Sequence, residues 1–123
     1  MPETATAVIP FPAAPLTDPA WEDVPADKVI SGQPKAAYSM LYTDPSGRFH
    51  SGIYECTPGK WRVSYDEDEF CTLLEGRVIL TDAAGATREF AAPDSFLIPA
   101  GFSGTWEAAT PLRKIFVIHE PAA

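Results

Sequence analysis

Only two of the 123 residues are histidine, His50 and His119. That scarcity limits the chemistry from the outset, because catalytic zinc and non-haem iron centres draw heavily on imidazole ligands. Cysteine is just as scarce. Cys56 and Cys71 are the whole supply, too few for a disulfide framework, and they read as small buried thiols. A reactive thiolate would need a basic partner, and the sequence places none beside either. Positive charge is short as well, with 9 lysines and arginines against 17 acidic residues and a net charge of −8. Nucleic-acid binders need a clustered basic face, so no nucleic-acid partner is expected. No apolar run approaches the ~20 residues of a membrane helix. The opening MPETATAVIPFPAAP lacks a basic n-region and is broken by proline, unlike a signal peptide. No membrane partner is expected, and the expected compartment is the cytoplasm. A 3.6-residue apolar stripe is also missing, which leaves helices without a signal.

Proline, by contrast, is abundant, at 13 residues, six of them within the first 27. A segment so interrupted cannot sustain a helix or a central strand. Residues 1–30 therefore read as an extended arm, and residues 31–123 as the folded domain. Val8, Ile9, Phe11 and Trp21 suggest that part of the arm lies on an apolar surface, its own or a partner subunit's. The segment from Ile30 to Pro34 reads as a turn into the first strand.

From Tyr38 onward, about nine short strands alternate with turns carrying Gly, Pro or Asp, such as Asp44-Pro45-Ser46-Gly47 and Asp82-Ala83-Ala84-Gly85. The clearest run is GKWRVSYDEDEFCTLLEG, residues 59–76. Trp61, Val63 and Tyr65 alternate with Lys60, Arg62 and Ser64, the pattern of a half-buried strand. Asp66 to Glu69 form an acidic turn, and Phe70 to Leu74 a second strand. Even spacing of short strands predicts an all-β antiparallel sandwich or barrel.

Glu69, six residues and then Gly76 resembles the end of the first cupin motif, and PDSFLIPAG at residues 93–101 resembles the second. The phrasing over about Ser31 to Ile118 is similar to the branch shared by (S)-ureidoglycine aminohydrolase and the ethanolamine-utilisation cupins. That resemblance implies a cupin jelly-roll barrel of two antiparallel sheets. In metal-binding cupins the two motifs supply three His and one Glu. Here only Glu69 matches. Tyr65 and Glu67, or Val63 and Tyr65, fall at the first two His positions depending on the direction of counting, and Gly104 falls at the third. No metal or other cofactor is therefore expected, while an acidic Mg²⁺ or Mn²⁺ site using Glu67 and Glu69 stays open.

If the family register holds, Trp61, Val63 and Tyr65, then Glu69, Cys71 and Leu73, and then Gly104 and Trp106 face the barrel interior. The expected site is a small-molecule pocket walled by Trp61, Val63, Cys71 and Trp106. Glu69 and Tyr65 are its catalytic candidates, with Glu67 beside them and room left open at Gly104. A carboxylate facing the interior must be functional or paired with Tyr65, a tryptophan N–H or Lys114. Lys114 alternates with Leu112 and Phe116 and could reach a barrel mouth, although a lone strand lysine is more often an edge or surface charge, and His119 reads as a surface residue. Either Glu55 or Cys56 can face the pocket, not both. Three functions follow: a small-molecule binder with possible metal-independent acid–base chemistry, a metal-dependent C–N hydrolase as the resemblance implies, or a non-catalytic sensor or accessory subunit. Exposed strand edges and the apolar arm predict a homodimer.

Overall fold

The alternation along the chain becomes eleven antiparallel strands in a computed structural model that describes residues 6–122. In chain order they are β1 (Glu22–Asp23), β2 (Val29–Gly32), β3 (Lys35–Thr43), β4 (Phe49–Cys56), β5 (Gly59–Ser64), β6 (Asp68–Glu75), β7 (Arg77–Asp82), β8 (Thr87–Ala91), β9 (Ser95–Ile98), β10 (Ser103–Ala108) and β11 (Leu112–His119). They form a six-stranded sheet, β1-β3-β4-β11-β6-β9, facing a five-stranded sheet, β2-β5-β10-β7-β8. This is an all-β jelly-roll architecture. Among the described residues no helix is long and apolar enough to cross a membrane.

Two strands exceed the expected nine, and both lie within the proline-rich stretch. β1 pairs Glu22 and Asp23 with Ala36 and Lys35, and β2 pairs with β5. The prolines at 19, 25 and 34 flank these strands rather than interrupt them, and both strands lie at sheet edges, where a missing N–H removes no ladder bond. The supposed turn at Ile30–Pro34 is therefore strand as far as Gly32. Upstream, the arm crosses the outer face of the six-stranded sheet. Leu16 N–H donates to the Glu55 carboxylate at 2.7 Å, and Arg113 donates to the Ala13 carbonyl at 2.6 Å.

Turn chemistry holds the hairpins as the sequence suggests. The Asp44 carboxylate accepts from Ser46 and Phe49, and the Asp82 carboxylate accepts from the N–H groups of Ala84 and Ala86. Gly76 is required twice over between β6 and β7. Its φ is +91°, and a Cβ there would stand 2.2 Å from the Pro111 carbonyl oxygen.

Inside, alternation sorts the residues. Cys71, Leu73, Val78, Trp106 and Leu112 are buried between the sheets, while Arg62, Ser64 and Phe70 face outward. Phe90 stacks on Phe96 with centroids 4.3 Å apart, and Phe96 and Trp61 each lie 6.4 Å from Trp106. These rings fill one part of the barrel. The other part contains ionised groups.

Candidate functional site

Lys114 is not an edge charge. It lies in β11, between β4 and β6 near the middle of the six-stranded sheet, with Tyr54 and Leu73 as its cross-strand neighbours. Its side chain is directed inward with those of Leu112 and Phe116, and the residue is 4% exposed. The chain runs past Cys71, with Nζ 3.5 Å from Sγ, to reach Glu69 Oε2 at 2.6 Å. Glu69, 6% exposed, lies between Ile118 and Ile98 in the sheet. The Cys71 thiol donates to the same carboxylate oxygen at 3.1 Å. The Lys114 ammonium also lies 4.4 Å from the Trp106 ring and 4.9 Å from the Tyr54 ring, so aromatic faces meet the rest of its charge.

These neighbours fix the protonation states. Burial works to lower the Lys114 pKa, but Cys71 and Glu69 outweigh it and hold the group well above the ordinary 10.5. Lysine acts as a Schiff-base nucleophile when its pKa is depressed, and Lys114 is the opposite case. Burial also pushes the Cys71 thiol up to about 12, so it is a thiol donor rather than a thiolate. Tyr65 and Tyr54 are driven above their ordinary 10.0, first by burial, and remain neutral phenols. The interior thus has one ammonium, one carboxylate and neutral donors, a set suited to hydrogen bonding and proton holding rather than covalent catalysis.

A cavity of about 260 Å³ opens against this pair, bounded by Tyr54, Trp61, Val63, Tyr65, Trp106 and Phe116 among others. It reaches the surface beside Tyr38 and Met40 of β3, which are 66% and 44% exposed. Four of its residues, Tyr38, Trp61, Val63 and Tyr65, also border an outer vestibule of about 590 Å³. The Trp106 indole N–H is buried beside the Cys56 sulfur, which it meets too loosely for a regular hydrogen bond.

Of the expected residues, Trp61, Val63, Tyr65, Glu69 and Trp106 line the one cavity, and Cys71 joins it through Glu69. Glu67 instead lines the vestibule, its pKa raised by burial and by Glu69, Glu120 and Asp66. Cys56 is the buried member of its pair, and Glu55 holds the arm on the outer face. The room expected at Gly104 does not exist, because a Cβ there would lie 1.9 Å from the Thr81 carbonyl oxygen. No side chain can stand at the third histidine position without moving β7. Of the partners expected for a buried Glu69, Lys114 is the one found, and the run LRKIFVIH places it on one face with Leu112, Phe116 and Ile118, although it was not expected among the site residues.

Residues 43–116 match the family model of the EutQ-like cupin domain. The chain belongs to that family. Among solved structures it is similar to a protein of unknown function from Pseudomonas syringae pv. tomato, at 21% identity and a TM-score of 0.78, covering 88% of this chain and 46% of that one. It is similar also to a putative ethanolamine utilization protein Q from Salmonella typhimurium, at 18% identity and a TM-score of 0.64, covering 88% and 100%. A Thermotoga maritima protein is 30% identical, with a TM-score of 0.51, over 52% of this chain and 73% of that one. The first two likenesses establish the cupin fold, and the chain spans less than half the length of the Pseudomonas protein. No curated protein matches the chain. The donor set of this EutQ-like cupin does not fit the three-His, one-Glu metal site of its wider fold family. Glu69 is already held by Lys114, His50 is bonded to Glu120 at 2.6 Å, and His119 is exposed beside Asp68.

Proposed function

We propose that this barrel binds a small organic molecule beside Lys114 and Glu69, between the rings of Trp61, Tyr65 and Trp106. One observation carries the reading: an almost fully buried ion pair is set into the wall of an aromatic cavity of about 260 Å³. Taking an ion pair out of water gains little over apolar packing of the same volume, so stability alone is a weak reason to keep it. Apolar walls with a few convergent polar groups describe ligand sites, and drug-sized ones run to roughly 300–1,000 Å³. This cavity suits something smaller. Any metal-independent turnover would use Glu69 as the proton acceptor and Tyr65 as the donor. In ligand-observed NMR against a fragment library, fragments are expected to bind the parent and to lose binding in Val63→Trp, which fills the cavity from β5. A library with no fragment sensitive to that substitution overturns the reading.

The partner we propose is a second copy of the chain. β1 covers only Lys35 and Ala36 of the β3 edge, and Tyr38, Met40 and Tyr42 further along β3 are exposed. Pairing two such edges would satisfy the unpaired backbone groups and cover the apolar side chains together. Light scattering at micromolar concentration is expected to give a dimer mass. A monomer mass removes this proposal.

A further inference from the structure

The charges inside the barrel also restrict what it can bind. Lys114 and Glu69 cancel each other at 2.6 Å, and the Cys71, Tyr54 and Tyr65 groups around them are held neutral, chiefly by burial. An ion entering this space would find no free counter-charge. A cation would meet the ammonium as closely as the carboxylate, and an anion the reverse. Unanswered charge in a desolvated site is strongly disfavoured. The nearby charges that could answer it, including Glu22, Asp23, Lys28, Arg62 and Glu67, border the vestibule instead. Donors and acceptors, by contrast, are at hand. An ammonium has three protons to share, and a carboxylate keeps lone pairs beyond those it uses.

Resting on the binding reading above, we infer that the part of the ligand seated beside Lys114 and Glu69 has no net charge. It is a flat group presenting an acceptor to Lys114 and a donor to Glu69, of the amide, lactam or phenol class, and any ionised substituent stays in the vestibule. The cavity of about 260 Å³ exceeds the roughly 150 Å³ that admits benzene in an engineered core, so a substituted six-membered ring fits.

Three probes of one shape test this: benzamide, benzoate and benzamidinium, titrated at pH 7 and followed by the indole N–H signals of Trp61 and Trp106. Benzamide is expected to bind the parent at least about tenfold more tightly than either ion. Glu69→Gln leaves the lysine unanswered and shifts the preference toward benzoate. Lys114→Met leaves the carboxylate unanswered and shifts it toward benzamidinium. The ranking on the parent stands by itself if either variant folds poorly. Benzoate or benzamidinium matching benzamide on the parent overturns the inference while leaving the cavity reading intact. An unchanged ranking in two folded variants overturns it as well. If none of the probes moves either signal, the inference fails, and the fragment screen above decides the binding reading separately.

Discussion

Glu69→Gln loses about 3–5 kcal/mol of stability at pH 7, the usual consequence of removing one partner from a buried ion pair, and part of that loss returns as the pH rises toward 9. The amide keeps the shape of the carboxylate and removes its charge. Lys114, 4% exposed, then keeps an ammonium among aromatic rings with only a neutral partner, or releases its proton. Release at pH 7 costs at most about 4.6 kcal/mol, roughly 3.4 pH units below the free-lysine value at about 1.36 kcal/mol each. Without the carboxylate, burial dominates, and the folded variant binds its lysine proton less tightly than the unfolded chain does. By linkage, stability then rises with pH until unfolded lysine itself titrates near 10.4. In the parent, Lys114 has a raised pKa, and the slope contributed by this residue has the opposite sign. Urea melts of both proteins at pH 7 and pH 9 measure the gap between them. It should narrow by at least about 1 kcal/mol over those two units. A gap below about 1 kcal/mol at pH 7 would mean that the pair contributes less than buried pairs do, and a gap independent of pH would mean that Lys114 is not its origin. Replacing both residues at once, as Glu69→Leu with Lys114→Met, should recover most of the loss, since no charge is then left unanswered.

What could be read from the sequence follows from how local each feature is. Strands β3 to β11 announce themselves by alternation and by turn residues, both properties of a few neighbouring positions, and eight of the ten residues from Trp61 to Phe70 take the face or turn that their pattern assigns. Glu69 could be placed inside from its spacing to Gly76 and its register with Cys71 and Leu73. Lys114 could be offered as one of three partners for it but not chosen from spacing alone, because the two lie 45 residues apart and meet only where β11 lies beside β6. A lysine on a strand is ordinarily a charge at an edge, and centrality in the sheet order is a tertiary fact. The same holds at Gly104. The sequence shows a glycine where a histidine might stand, but not the Thr81 carbonyl that occupies the place of its Cβ. β1 and β2 escaped for a different reason. Proline excludes the middle of a sheet but not its edge, so short edge strands between prolines produce no pattern to read.

The parent is expected to unfold cooperatively as the pH approaches and passes about 11, where its buried groups lose their protons. Five buried groups drive this in one direction. Burial raises the thiols of Cys56 and Cys71 from 9.0 to about 11 and about 12. It also raises the phenols of Tyr54 and Tyr65 well above 10.0. Lys114 is raised above 10.5, because Cys71 and Glu69 overcome the opposing effect of burial. Every one of these groups holds its proton more tightly in the folded state than in the unfolded chain. Their stabilising contribution is therefore complete below pH 9 and is lost as the pH climbs through the raised values. Each group steepens the fall by about 1.4 kcal/mol per pH unit once its unfolded counterpart has titrated. Between about pH 9 and 11 the two thiols and then the two phenols act together, a loss on the order of several kcal/mol. The lysine works in the same direction once the pH passes its ordinary 10.5. Single domains are stable by about 5–15 kcal/mol, so a loss of several kcal/mol carries the fold toward its midpoint. Circular dichroism followed against pH, alongside phenolate absorbance, tests the account. The buried phenols should ionise together with loss of the sheet signal rather than before it. A sheet signal intact at pH 11.5 would mean that the interior admits water and hydroxide without opening, and the dry, neutralised barrel described here would be wrong.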